Sequence, residues 1–149
     1  MSYQTINPFT EQLIQTFSEH TDAELEKIIR AAQDTYQDDW SLRSLARRKA
    51  VVKRAASILR DKRDDFAKLV TLEMGKLFRE AQAEVTLSAD ILDYYADRAE
   101  RFLAPQALPV QQGEAVIESA PMGVIFCVEP WNFPYYQLAR VAGPNLMVG

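Results

Sequence analysis

Residues 122–140 read MGVIFCVEPWNFPYYQLAR, and the fold turns on how this stretch is understood. Behind Gly123, Val124 to Val128 form an unbroken apolar run. Such a run suits a parallel strand covered on both faces better than a half-wet antiparallel one. It leads directly into Pro130-Trp131-Asn132-Phe133-Pro134, and Pro134 fits the first turn of a helix, where a missing amide hydrogen does no harm. Tyr135 to Met147 is then predicted to be helical, so strand and helix make the first half of a crossover unit. The return strand is absent by Gly149. Asn132 is the odd member of the corner, because a tight turn is more cheaply made with glycine.

Working back toward the N-terminus, Ala81, Val85, Ser88, Leu92, Tyr95, Ala99 and Phe102 recur at steps of four and three. That spacing predicts a long helix of about six turns with one packing stripe, ended by Pro105 and Pro109. A shorter helix is expected from about Asp64 to Gly75, carrying Phe66, Leu69 and Val70. Before it, Leu45, Val52, Ala55, Ala56 and Leu59 mark another, with Ser41 as its expected cap. Thr21-Asp22-Ala23-Glu24 is a capping box that opens a helix whose apolar face is Leu25, Ile28, Ile29, Ala32 and Tyr36. The first twenty residues alternate polar and apolar on either side of Asn7-Pro8-Phe9-Thr10, which predicts a hairpin. A short strand is expected in GEAVIES, residues 113–119.

The totals limit the function classes. A 149-residue chain with 48% apolar residues is long enough to close one core. The net charge of −4 favours neither nucleic acid nor an anionic membrane as partner. One cysteine, Cys127, cannot form an internal disulfide, and with the lone His20 it cannot build a metal site of the Cys and His type. With no signal core and no apolar stretch of spanning length, a cytoplasmic location is expected. Charge is concentrated between Ser41 and Arg63, where nine Lys or Arg stand against the single Asp61. This face lacks interleaved aromatics and is closed by Asp64 and Asp65, so it reads as a solvated helix meeting acidic neighbours rather than a nucleic-acid site.

The corner in its strand-to-helix setting, together with Leu72-Glu73-Met74-Gly75-Lys76 and Asn7-Pro8-Phe9-Thr10, resembles the N-terminal third of the aldehyde dehydrogenase superfamily, in particular its succinate-semialdehyde branch. The resemblance implies an α/β fold: residues 1–20 a β-hairpin, 21–104 a helical layer with one long helix, 105–120 a connection with a short strand, and 121–149 the first strand and helix of a Rossmann-type parallel sheet. It also implies oxidation of an aldehyde with NAD or NADP as hydride acceptor. In this family a cysteine thiolate attacks the carbonyl, and an asparagine amide stabilises the resulting oxyanion; the match gives that role to Asn132. A neutral donor fixed before charge develops is what such chemistry needs, and glycine has no such arm. Pro130, Trp131 and Asn132 are matched to the cofactor cleft, and Phe133, Gln137 and Arg140 to the substrate tunnel. Arg140 suits a substrate bearing a carboxylate, since a guanidinium fork grips carboxylates bidentately. The family's nucleophile and glutamate base belong to later segments, so the chain by itself is expected to be inactive and to associate with itself or with the rest of an enzyme; the alternative is a truncated, non-catalytic fragment that serves only packing or assembly.

Plainer readings exist for the same residues. Asn132 taken alone is a turn or cap residue, Trp131 reads equally as a core aromatic, and Arg140 as a solvated helix residue. Cys127, inside an apolar run, reads as a buried packing residue. His20 reads as a solvated histidine ahead of a cap.

Overall fold

Asn7 makes the first turn of the chain: its Oδ1 accepts hydrogen bonds from the amides of Phe9 (2.9 Å) and Thr10 (3.3 Å). The turn joins β1 (Tyr3–Ile6) to β2 (Leu13–Phe17) as an antiparallel hairpin with Tyr3 opposite Phe17. This computed structural model describes residues 3–149; Met1 and Ser2, which begin the expected hairpin segment, lie outside the described residues.

The capping box is present at the start of α1 (Asp22–Thr35). The Thr21 amide donates to Glu24 Oε2 (2.8 Å) and the Glu24 amide to Thr21 Oγ1 (3.3 Å); the Thr21 amide and then its hydroxyl, which also donates to Oε2 (2.9 Å), hold the Glu24 carboxyl below its usual range. The apolar face of this helix departs from expectation. No residue of α1 is buried, and Leu25, Ile28 and Ile29 stay exposed, because among the described residues no other helix or strand packs closely along that face.

A π-helical turn, Tyr36–Trp40, continues α1, and α2 runs from Leu45 to Asp61. Ser41 does not cap it. The chain is still helical at Trp40, so the Ser41 hydroxyl donates back to the Gln37 carbonyl (3.4 Å), and Ser44 accepts from the Arg47 amide instead. α3 (Arg63–Met74) ends on Gly75, which adopts a left-handed φ of 74°; a Cβ there would stand 2.9 Å from Pro8 Cγ, so the glycine also lets the hairpin turn close in. α4 (Phe78–Leu103) spans 26 residues and stops before Pro105, as the prolines predict. β3 (Gln106–Leu108) and β4 (Ala115–Ile117) form a second antiparallel pair, and α5 (Pro134–Val148) closes the chain.

α4 is the hub, packed against α2, α3 and α5. Its buried stripe is made of small residues, Ala81, Val85, Ser88, Ala89, Ala96 and Ala99 with Leu92, and it meets Val52 and Ala56 of α2 and Ala139 and Met147 of α5. Small side chains bring helix backbones close. Gly143 carries this furthest, since a Cβ there would stand 2.8 Å from Tyr95 Cδ2.

The basic face of α2 meets acidic residues of α4: Lys49 pairs with Glu100 (2.7 Å), Lys53 with Asp97 (2.5 Å), and Arg60 with both Asp90 (2.7 Å) and Asp93 (2.6 Å). These pairs align α2 with α4 along most of its length, although exposed pairs add little energy individually.

The run Val124–Val128 differs most from its reading. The described residues contain only the two antiparallel pairs, and this run joins neither. It is exposed, Phe126 to 88%, and Cys127 is exposed rather than buried. A strand exists through its ladder, and no described segment lies alongside to complete one.

The interhelical pairs predict a pH dependence. The Lys53 ammonium holds the Asp97 carboxyl below its usual value, and Lys49 does the same for Glu100, while Asp97 raises Lys53. Lowered carboxyl values contribute stability above the unfolded values, about pH 4, which is lost as pH falls through the folded ones; the raised lysine contributes below about pH 10. Stability measured by urea unfolding should therefore fall on acidification from about pH 5 to about pH 3, and Asp97→Asn with Glu100→Gln should flatten that fall. An unchanged slope in the double variant would show that the pairs do not act in this way.

Candidate active-site corner

The corner is built on the start of α5. Trp131 and Asn132 form a turn, Phe133 bends the chain (φ −141°, ψ 67°), and Pro134 begins the helix. The amides of the first helical turn have no partners within the helix. Glu84 supplies one from α4: its Oε1 accepts from the Tyr135 amide (3.0 Å) and the Tyr136 amide (3.4 Å). A carboxylate at a helix N-terminus also meets the positive end of the helix dipole.

Glu84 is 4% exposed, and its charge is balanced by Lys76, which follows Gly75. Lys76 Nζ donates to Glu84 Oε2 and to the backbone carbonyl of Asn132 (2.9 Å), and it sits 3.5 Å from the centre of the Phe133 ring. An ammonium has three donors and accepts nothing, so two oxygens and one aromatic face satisfy it. Tyr135 fills the angle between α3 and α5, its ring 5.3 Å from that of Phe66. Burial first, then the nearby carboxylates of Glu73 and Glu84, push its hydroxyl above its usual value.

The residues singled out from the sequence fall as follows. Asn132 is exposed, its carbonyl is held by Lys76, and its side-chain amide makes no hydrogen bond among the described residues. Pro130 is exposed, and Trp131 is 78% exposed at the edge of a groove of about 630 Å³ between the hairpin, α3 and α5. Phe133 packs edge-on against Tyr136, and the Arg140 guanidinium lies over the other end of that contact, 5.7 Å from the Tyr136 ring centre. Arg140 forms no ion pair among the described residues and is exposed. Gln137 is half-buried, with its Oε1 buried and unpaired. Phe133 and Arg140 thus share one face through Tyr136, while Trp131 points to the groove of the hairpin.

Lys76, Glu84 and Tyr136 are given no site role by the sequence reading. Glu84 leaves a signal nonetheless: it is the acidic residue set between Ala81, Val85 and Ser88, on a stripe that is otherwise small and uncharged. No group of His, Cys, Asp or Glu among the described residues is arranged to hold a metal, and no helix among them is long and apolar enough to cross a membrane.

The chain belongs to the aldehyde dehydrogenase family, whose profile matches residues 1–149. It is similar to the succinate-semialdehyde dehydrogenase (NADP+) of Deinococcus radiodurans, 45% identical over 147 residues, which are 99% of this chain and 31% of that protein. A probable succinate-semialdehyde dehydrogenase (NADP+) of Synechocystis is 43% identical over 149 residues, 100% of this chain and 33% of that protein. Among solved structures, the succinic semialdehyde dehydrogenase of Streptococcus pyogenes in complex with NADP+ as the cofactor superposes with a TM-score of 0.94 at 47% identity, covering 99% of this chain and 32% of that one. The chain spans about a third of the length of these relatives.

Removing one partner of the buried pair should be costly. Glu84→Gln keeps the shape of the side chain but leaves the Lys76 ammonium buried without its counter-charge, and a loss of about 3–5 kcal/mol is expected. Adding Lys76→Met should recover most of it. Denaturant unfolding of the two variants checks this, and a double variant no more stable than Glu84→Gln would contradict the pairing.

Proposed function

We propose that this chain forms the oxyanion-stabilising corner of an aldehyde dehydrogenase that oxidises succinic semialdehyde with NADP+. The observation that carries the reading is the state of Asn132: its backbone is clamped by Lys76, and its side-chain amide is exposed and uncommitted. An amide with free donors on a backbone held in advance can meet developing negative charge with little reorganisation. The names of the similar proteins, with NADP+ in two of them and in the Streptococcus pyogenes complex, support the choice of substrate and cofactor.

Pro130, Trp131 and Asn132 are the residues that would meet the cofactor. The exposed apolar faces of Pro130 and Trp131 suit a flat ring, and Lys76 is fully engaged, so the corner fits the nicotinamide end rather than a phosphate. When bound, nicotinamide supplies the acceptor for hydride. Phe133, Gln137 and Arg140 would border the aldehyde, with the Arg140 guanidinium free to grip its distant carboxylate. Cys127 is not offered as nucleophile, for no base among the described residues is hydrogen-bonded to it; the thiolate and the general base would come from residues other than these. In such an assembly Val124–Val128 gains neighbours and becomes the first strand of a parallel sheet.

A second reading, in which the chain serves only in packing or assembly, is favoured by the exposed apolar run from Val124 to Val128 and by the uncovered face of α1. Self-association in sedimentation, with no turnover once the chain is extended to the length of its relatives, would favour it over the first.

Asn132→Ala, in the chain extended by the remaining two thirds of the Streptococcus pyogenes enzyme, should lower kcat by about 10²- to 10³-fold, far more than it weakens the binding of NADP+. Unchanged turnover removes the assignment. Arg140→Ala should raise the KM for succinic semialdehyde and spare a neutral aldehyde of similar length; equal effects on both would argue against a carboxylate clamp.

A further inference from the structure

Beyond the residues matched to the reaction, we infer that Lys76 and Glu84 are positioning residues for the Asn132 amide; this rests on the reading of Asn132 given above. The pair holds the corner at two nearby points of the backbone. Lys76 Nζ takes the carbonyl of Asn132 itself (2.9 Å), and Glu84 Oε1 takes the amides of Tyr135 and Tyr136, three and four residues on. Between these holds lie only Phe133, whose ring is pressed under the same ammonium at 3.5 Å, and Pro134, whose φ is fixed by its own ring. The Asn132 side chain has no hydrogen bond of its own among the described residues to fix its direction. The backbone from which it projects sets where the side chain starts and which rotamers it can adopt, and that backbone is held by Lys76.

The two residues come from different helical elements. Lys76 lies in the link between α3 and α4, and Glu84 lies within α4 on its buried stripe. The device thus transmits the position of the helical layer to one side chain. A lysine is suited to it, because a compact ammonium reaches a carboxylate, a carbonyl and a ring face together, whereas a planar guanidinium makes its bonds in one plane. Neither residue touches the reacting atoms. Displacing a stabilising donor by about 1 Å is enough to lose about a hundredfold in rate, so the expected effect falls on turnover and not on affinity.

The test uses the extended enzyme described above. Lys76→Met should lower kcat by about ten- to a hundredfold, with a much smaller change in the KM for NADP+. In an Asn132→Ala background the same substitution should lower kcat no further, to within about twofold, because the group through which it acts is gone. A structural role alone would multiply the two losses. Lys76→Met leaves Glu84 buried and unpaired, so Lys76→Met with Glu84→Gln is the companion variant, which removes the charges together and keeps the fold while still releasing the Asn132 carbonyl. Hydrogen exchange of the Tyr135 and Tyr136 amides gives a reading apart from activity: exchange should quicken in Glu84→Ala, and unchanged protection would overturn the capping contact. If Lys76→Met costs as much in the Asn132→Ala background as it does with Asn132 in place, or if the companion variant keeps full turnover, the inference is overturned while the role of Asn132 stands. Unchanged turnover in Asn132→Ala alone would instead remove the reading on which it rests.

Discussion

The Glu84 carboxylate organises the site end of this molecule. One oxygen answers two amides of α5 that the helix cannot satisfy, and the other neutralises the lysine that holds the Asn132 carbonyl. A carboxylate buried to this degree is tolerated only when it is fully bonded, and here each of its bonds is also a bond of the corner. Helix packing brings α5 against α4 through alanine, glycine and methionine, which constrain closeness but say little about rotation or sliding. The polar contacts fix that remaining freedom.

The rest of the helical layer follows from the same economy of size. Alanines and a serine on α4 make a narrow seam into which Val52, Ala56 and Ala139 fit, and the ion pairs between α2 and α4 sit outside it in water. Larger apolar residues are displaced to the surface: Leu25 and Ile28 on α1, Val124 to Val128, and Trp131. The layer is held by close backbones rather than by bulky side chains, and its apolar surplus faces outward.

Local patterns were legible in the sequence, and long-range ones were not. The Asn7 turn, the capping box, the glycine stop at Gly75, the proline stop after α4 and the helical start at Pro134 all rest on contacts within a few residues, and each lies where the spacing put it. The cap of α2 slipped from Ser41 to Ser44 because the π-helical turn kept the chain wound past Ser41, and β3 is too short, at three residues beside prolines, to show a period. Val124–Val128 has the composition of a covered strand, but composition does not state where its neighbours are. At the site, Asn132 was singled out by its neighbours in sequence, whereas Lys76 meets its carbonyl from 56 positions away and Glu84 meets the Tyr135 amide from 51, which no local motif reports. The basic stretch on α2 found its acidic partners on α4, as its lack of aromatics suggested.

The distance along the chain between Glu84 and the amides it receives has a bearing on the order in which this protein is made. The Tyr135 bond closes a loop of 51 residues, and its carboxylate is useless to the corner until α5 has wound and come to rest against α4. A chain leaving the ribosome therefore exposes the lysine and the glutamate long before the turn they are meant to grip. Until that late docking, each is a solvated charge on a bare helical surface, and the asparagine swings freely on an unanchored peptide. The geometry of this corner is thus complete only once both ends of that span have been synthesised and have met.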